Sequence, residues 1–302
     1  MESIIPAVDP LLVEEELHSQ RCLTQLSRGG VELYLVEGSS APSVMREIGR
    51  LREIAFRAGG GGTGKACDTD RFDLDPSLGF RQLVCWDGEA KEIMGGYRYL
   101  CGRDIKFDAA GQPDMPSAHL FRFSEQFIRE SMPTMMELSR SFIVDKHQRG
   151  SVDLRRNVFT LDHLFTGLSY LFGSEKQQTV FGKVTFYPSY PKEAFAMLEA
   201  FFGKYCLNTT DIIPHTAYKV PAWADADKVM VHGEYRADLH AVQAALRQGG
   251  YYMPPILSSY LKIFKTVTTY GAAVNDEFGD VMEMGLLVRV NELLPERYTQ
   301  YL

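Results

Sequence analysis

Two stretches with the make-up of sheet strands carry charges in their interior: Gly95-Gly96-Tyr97-Arg98-Tyr99-Leu100 and Met135-Met136-Glu137-Leu138-Ser139-Arg140. An ionic side chain among apolar strand neighbours is costly unless an opposite charge meets it there. The chain supplies partners. Arg52 and Phe56 sit four apart on one face of a helix, and Asp70 and Asp73 lie in an acidic loop. The fold is therefore expected to gather Arg52, Arg98 and Arg140 with Asp70, Asp73 and Glu137 into one mutually neutralising network. Taken singly, each of these residues fits an ordinary structural salt bridge.

Periodicity supplies the frame. Leu11, Leu12, Leu17, Leu23 and Leu26 read as a helix over 11–28, and Val31, Leu33 and Leu35 alternate as a strand over 31–36. A helix over 43–57 has Ser39 or Ser40 as N-cap and stops at glycines. Strands over 80–87 and 92–100 flank the hairpin signal Asp87-Gly88. The stretch 121–130 fits either state. A strand over 135–144, a helix over 157–172, a strand over 180–187 and a helix over 192–205 follow. The tail adds helices over 237–247 and 255–264 and a strand over 281–290. This order predicts an α/β (α+β) chain with a mixed sheet flanked by helices. It divides into an N-terminal helical extension (1–30), a core (31–206) and a C-terminal elaboration packed on it (207–302).

The charge balance narrows the partners. Lys and Arg total 32 against 39 Asp and Glu, a formal net charge of -7. So acidic a chain is not drawn to nucleic acid or an anionic membrane by its overall field. Five cysteines with no C-x-x-C pair argue against a disulfide framework or a structural zinc. The seven histidines form no metal-binding pair, so no metal site is expected. The first 17 residues lack a basic start and carry Glu14, Glu15 and Glu16, and no apolar run nears the roughly 20 residues of a membrane span. A cytoplasmic protein is expected.

One motif invites a nucleotide reading. Gly59 to Lys65 almost spells a P-loop, but Ala66 stands where magnesium needs a hydroxyl, and a helix rather than a strand precedes it. A turn that ends a helix is the expectation.

Taken in order, Arg52-x-x-x-Phe56, Asp70-x-x-Asp73, Arg98 and Glu137-x-x-Arg140 resemble the acyl-homoserine-lactone synthases, a branch of the acyl-carrier-protein-dependent N-acyltransferases built on the GNAT fold. A second branch, the hemolysin-like lyso-ornithine-lipid and N-acylglycine synthases, is similar over roughly residues 40 to 290. That similarity rests on Leu51 to Phe56, Gly95-Gly96-Tyr97-Arg98, Glu137-Leu138-Ser139-Arg140, Tyr170-Leu171-Phe172-Gly173 and Phe181-Gly182-Lys183-Val184-Thr185-Phe186. It extends to Pro254-Pro255-Ile256-Leu257, Tyr260-Leu261 and Asp276-Glu277-Phe278-Gly279. The C-terminal match favours this second branch. The glycine cluster is longer than in either branch, and the pyrophosphate loop of coenzyme-A-using relatives is only hinted at by Gln148-Arg149-Gly150.

The resemblance implies a mostly antiparallel GNAT-like sheet. It also implies an enzyme that moves a long fatty acyl group, 3-hydroxylated chains included, from acyl carrier protein to the amine of a small amino acid such as glycine or ornithine. Coenzyme A is the less favoured donor, and no cofactor is held permanently. The alternatives are a non-catalytic acyl or acyl-carrier-protein binder and a homoserine-lactone synthase. Peripheral membrane association would come through a lipid product.

Amide formation from a thioester needs a base for the ammonium, an oxyanion donor and a proton for the thiolate. Glu137 is the candidate base, with Arg98 and Arg140 beside it. Arg52, Phe56, Asp70, Asp73, Ser139 and Phe142 are the candidate substrate-binding set. Lys146, Arg149, Arg155 and Arg156 are the candidates for the acidic carrier and its phosphopantetheine. Glu137 and Arg140 are three apart, so both reach one site only if the strand bulges between Leu138 and Arg140. An amide within 142–144 would then serve the oxyanion. Tyr187 or Tyr190 would protonate the thiolate, and Met132, Met135, Met136, Leu161, Leu164, Phe165 and Leu168 would line an acyl tunnel.

Overall fold

The computed structural model describes residues 1–25, 30–144 and 160–294. Eight strands form one sheet: β1 (Arg21–Gln25), β2 (Val31–Val36), β3 (Arg81–Asp87), β4 (Glu92–Cys101), β6 (Met135–Ile143), β7 (Thr179–Phe186), β10 (Val281–Arg289) and β9 (Thr268–Asn275), in that spatial order. All neighbours are antiparallel except β6 and β7. A small second sheet pairs β5 (Phe121–Phe123) with β8 (Ile212–Pro214). This is the mixed, mostly antiparallel sheet expected, with strands from both chain ends at its edges.

Strand alternation divides the core in two. On one face Leu83, Tyr97, Met136, Val184 and Met284 pack under the helices α5 (Thr160–Glu175), α6 (Lys192–Tyr205), α8 (Tyr235–Gln248) and α9 (Pro255–Ile263). The other face, called the site face below, meets α1 (Pro10–His18) and α2 (Pro42–Ala58) over β2 and β3. The β5–β8 sheet, α4 (Glu125–Glu130) and short turns cover it over β6 and β7. Two further one-turn helices, α3 (Arg71–Leu74) and α7 (Ala226–Val229), complete the set among the described residues. No described helix is long and apolar enough to cross a membrane.

Several elements differ from the sequence reading. The helix expected over 11–28 ends at His18, and residues 21–25 pair with β2 instead. Leucine spacing there looks helical, but the unpaired edge of β2 takes the segment as a strand. The stretch 121–130 resolves into β5 and α4, hinged at Ser124, whose hydroxyl accepts from the Phe127 amide at 3.1 Å. Strands β8 and β9 were not expected. Neither Ser39 nor Ser40 caps α2. Glu16 of α1 does so from outside, its carboxylate accepting from the amides of Ser43 (2.7 Å) and Val44 (2.9 Å). Met132 and Met135 fall on the site face and Met136, Leu164, Phe165 and Leu168 on the other, so they do not line a single tunnel.

Two local irregularities shape the centre. The β4–β6 register passes from Gly96↔Phe142 to Arg98↔Ser139, so Arg140 and Ser141 together oppose Tyr97. This is a bulge where the three-residue spacing demands one, and Arg140 takes a left-handed backbone (φ 48) within it. The β6–β7 ladder stops at Leu138↔Gly182, although β6 runs on to Ile143 and β7 to Phe186. Beyond that point the two strands part.

Candidate active site

The charged residues converge on the site face. Arg52 projects from α2 and is fully buried. Its Nη1 lies 3.0 Å from Asp73 Oδ1, and its Nη2 donates to Gln82 Oε1 at 2.7 Å. Gln82 closes the triangle, its Nε2 donating to the same Asp73 oxygen at 2.9 Å. Arg98, on β4, donates from Nη1 to Asp70 Oδ1 at 2.6 Å, lies 3.1 Å from Asp73 Oδ2, and donates from Nε to Ser139 Oγ at 3.1 Å. The Asp70–Asp73 segment is no open acidic loop. Asp70 caps α3 by accepting from the Phe72 amide, and Asp73 returns to accept from the Asp70 amide at 3.0 Å.

The bulge turns Arg140 onto this face. Its Nε lies 3.1 Å from Asp68 Oδ2, its Nη2 lies 3.8 Å from Asp70, and its guanidinium rests 4.7 Å from the centre of the Phe278 ring. A non-glycine residue in the left-handed region costs on the order of 1–3 kcal/mol. The Asp68 and Phe278 contacts hold it there. Gly49 of α2 allows the aspartate segment to come this close, since a Cβ there would stand 2.4 Å from Cys67 Sγ. The Asp68 amide donates to the Gly49 carbonyl at 3.0 Å.

Glu137 stands apart from this mesh. It is fully buried and, among the described residues, joins no ion pair. Oε1 accepts from Ser117 Oγ at 2.8 Å, and Oε2 has no well-formed hydrogen bond among the described residues. Burial pushes its carboxyl above the ordinary value, against the opposing pull of Arg98, Ser117, Lys183 and Ser139. Asp68 is likewise raised by burial against Arg140 and Arg52. Asp73 goes the other way. Burial would raise it, but Arg52 and Arg98 outweigh that and hold it well below the usual carboxylate range. Beside a mesh whose Asp73 is held as an anion, the site thus places a separate carboxyl, Glu137, that takes up a proton more readily than an ordinary glutamate.

The family model for the acetyltransferase (GNAT) domain matches residues 51–157, the interval that holds all six ionic residues. A glycine N(alpha)-acyltransferase of Bacteroides thetaiotaomicron is 37% identical over 305 residues, covering 100% of this chain and 90% of its own. A second protein of the same name, from Phocaeicola vulgatus, is 37% identical over 308 residues and is covered to 93%. This chain belongs to the GNAT-fold N-acyltransferases. Among solved structures, an N-acyl amino acid synthase from uncultured soil microbes aligns with a TM-score of 0.43 at 10% identity, over 87% of this chain and 93% of that one.

The remaining candidates of the N-acyltransferase sort as follows. Phe56 is in the core, edge-to-face with Phe278 at 4.9 Å, the ring beneath Arg140. Phe142 is also in the core, with the Arg52 guanidinium 5.9 Å from its ring centre. The Val144 amide donates to the Met94 carbonyl at 3.0 Å, which removes it as an oxyanion donor. Tyr187 packs across Gly59 on the site face. Tyr190 packs on the opposite face, its hydroxyl without a hydrogen-bond partner among the described residues and pushed by burial to about 12. Lys146, Arg149, Arg155 and Arg156 lie outside the described residues.

The glycine loop is filled from within. Glu53, fully buried on α2, accepts from the Thr63 amide (3.1 Å), the Thr63 hydroxyl (2.9 Å), the Gly64 amide (2.7 Å) and Arg57 Nε (2.7 Å). A side-chain carboxylate occupies the donors a phosphate would need.

Five polar residues of the site escaped the sequence reading: Asp68, Gln82, Ser117, Lys183 and Glu283. Lys183 and Glu283 carried the signal that singled out Arg98, a charge inside an apolar strand run. Ser117 carried none, because only the chain's path over the sheet brings it to Glu137.

Proposed function

We propose that this N-acyltransferase moves a long-chain acyl group from the phosphopantetheine thioester of acyl carrier protein to the amine of glycine, giving an N-acylglycine. The observation that carries the reading is Glu137: a fully buried carboxyl, raised by burial and with one oxygen free of a well-formed hydrogen bond among the described residues, beside Arg98 at the place where β6 and β7 part. The name shared by the two relatives at 37% identity, glycine N(alpha)-acyltransferase, supports glycine as the acceptor.

In this reading the thioester arm enters the gap between the strands beyond Leu138 and Gly182. Glu137 takes the proton that the ammonium must lose, and the neutral nitrogen attacks the thioester carbonyl. Oxyanion charge falls to a backbone amide of the Phe142–Ile143 stretch. The tetrahedral intermediate collapses with loss of thiolate, and the second proton, shed by the nitrogen as the amide forms, passes to the thiolate through water. Arg98 and Arg140, anchored by Asp68, Asp70 and Asp73, hold the site's geometry, and Arg98 favours the ionised form of Glu137. The acyl chain runs on the opposite face, among Met136, Leu164, Phe165 and Leu168. The product is an amphiphile, and its release would bring the enzyme to a membrane surface. No permanently bound cofactor is required.

The test supplies purified enzyme with matched acyl-carrier-protein and acyl-coenzyme-A donors of graded chain length, and with a panel of amino acids. The expected result is N-acylglycine by mass spectrometry, fastest from the carrier-protein donor. No amide from any combination would overturn the reading.

A further inference from the structure

Across the gap from Arg98 and Ser139 lies a second charged group that the charge mesh does not use. Lys183 is the first β7 residue beyond the last β6–β7 pair and points to the site face, as its alternation with Phe181 requires. Its side chain is 9% exposed, and its ammonium lies 2.7 Å from Glu283 Oε2. Glu283 is tied down further, accepting from Asn275 Nδ2 at 2.9 Å and from Thr185 Oγ1 at 3.3 Å. Burial would raise the Glu283 carboxyl, but Lys183 and Asn275 outweigh it and hold it below the ordinary value. The pair is therefore a fixed lysine cation on a fixed carboxylate base.

The charges alternate across the gap. Lys183 acts electrostatically on Glu137, and Arg140 acts on Glu283. An α-amino acid is a zwitterion whose opposite charges sit one carbon apart, so the site it fits must present an acceptor for the ammonium and a cation for the carboxylate on facing walls. Neighbouring strands are about 4.8 Å apart where paired, and Glu137 and Lys183 stand on the two strands at the point of parting. The three arginines are already tied to the 68–73 segment. Lys183 has Glu283 as its one ion-pair partner among the described residues, and an ammonium carries three N–H donors.

Building on the acyl-transfer reading above, we propose that Lys183, held by Glu283, which Asn275 tethers in turn, binds the carboxylate of the acceptor amino acid across the gap from Glu137. This makes the enzyme selective for free α-amino acids over amines that lack the carboxylate.

The experiment compares glycine with glycinamide as acceptors in the full-length enzyme. The ratio of their kcat/KM values cancels the intrinsic difference between the amines when variants are compared with wild type. Lys183→Met is expected to raise the glycine KM at least tenfold and to cut the glycine preference by a similar factor. Glu283→Gln removes the internal competitor for the ammonium, so it is expected to lower the glycine KM severalfold without a matching change for glycinamide. A purely structural role predicts that both variants harm both acceptors equally, and that result would overturn the proposal. If Lys183→Met does not fold, the Glu283→Gln arm decides alone. A wild-type enzyme that forms amide from neither acceptor would sink the acyl-transfer reading and this one with it. An active wild type whose preference survives in Lys183→Met sinks this one only.

Discussion

Replacing Glu137 by glutamine isolates the proposed base. The amide oxygen can stay in place to accept the Ser117 hydroxyl, now 2.8 Å from Oε1, and the buried volume hardly changes. Proton acceptance is what disappears. Burial already disfavours the charged form of this carboxyl, so a neutral amide removes a desolvation cost, and the variant should melt at or above the wild-type temperature. General-base assistance is worth roughly 10²–10⁴-fold, which is about 3–5 kcal/mol of barrier at 1.36 kcal/mol per tenfold. The assay follows amide formation from an acyl-carrier-protein donor and glycine across pH. The wild-type rate should rise with pH while Glu137 ionises, through a range above that of an ordinary glutamate, and then level off. The variant depends on amine that has lost its proton in solution, so its lower rate should keep climbing. A Glu137→Gln enzyme within threefold of wild type and with the same pH profile would refute the reasoning.

Ser117→Ala removes a hydrogen bond that favours the ionised form of Glu137, so the rising limb of the pH–rate curve should move to higher pH. Asp73→Asn strips Arg52 and Arg98 of a buried counter-ion and should cost about 3–5 kcal/mol in urea denaturation near neutral pH. Asp73 has a depressed folded-state pKa, so its contribution is full above about pH 5 and is lost as acid carries the pH down through the folded value. The gap between wild type and variant should therefore narrow in acid. Gly49→Ala places a methyl 2.4 Å from Cys67 Sγ and 2.9 Å from the Thr69 methyl. Overpacking of this kind costs about 1–3 kcal/mol, read as a lower melting temperature. The activity loss should exceed it, because the displaced segment carries Asp68 and Asp70.

Much of this site was legible because burying charge is expensive. Arg98, Arg140 and Arg52 drew attention as charges in apolar surroundings, and they meet Asp70 and Asp73 as that cost requires. The bulge at Arg140 followed from a three-residue spacing that a regular strand does not bring to one face. Glu137 shows where such reasoning stops. It was expected to join the ionic mesh, yet its hydrogen-bond partner is Ser117, delivered by a turn twenty residues upstream in the chain. Local periodicity carries no record of that crossing. The same holds for β1, whose Leu23 continues a helical spacing of leucines until the edge of β2 takes the segment as a strand. Lys183 and Glu283 do carry a local signal, the same charge within an apolar strand run, on β7 and β10.

The parallel seam between β6 and β7 spans four residues on each side, the shortest ladder between interior strands of the large sheet. It joins a half built from β1, β2, β3, β4 and β6 to a half built from β7, β10 and β9. A molecule lodged where the strands diverge would touch both halves and act as a rivet, adding ties where the sheet has fewest of its own. Occupancy by reactants should thus stiffen the whole enzyme, appearing as slower amide exchange on both banks of the seam and as thermal protection that grows with ligand concentration.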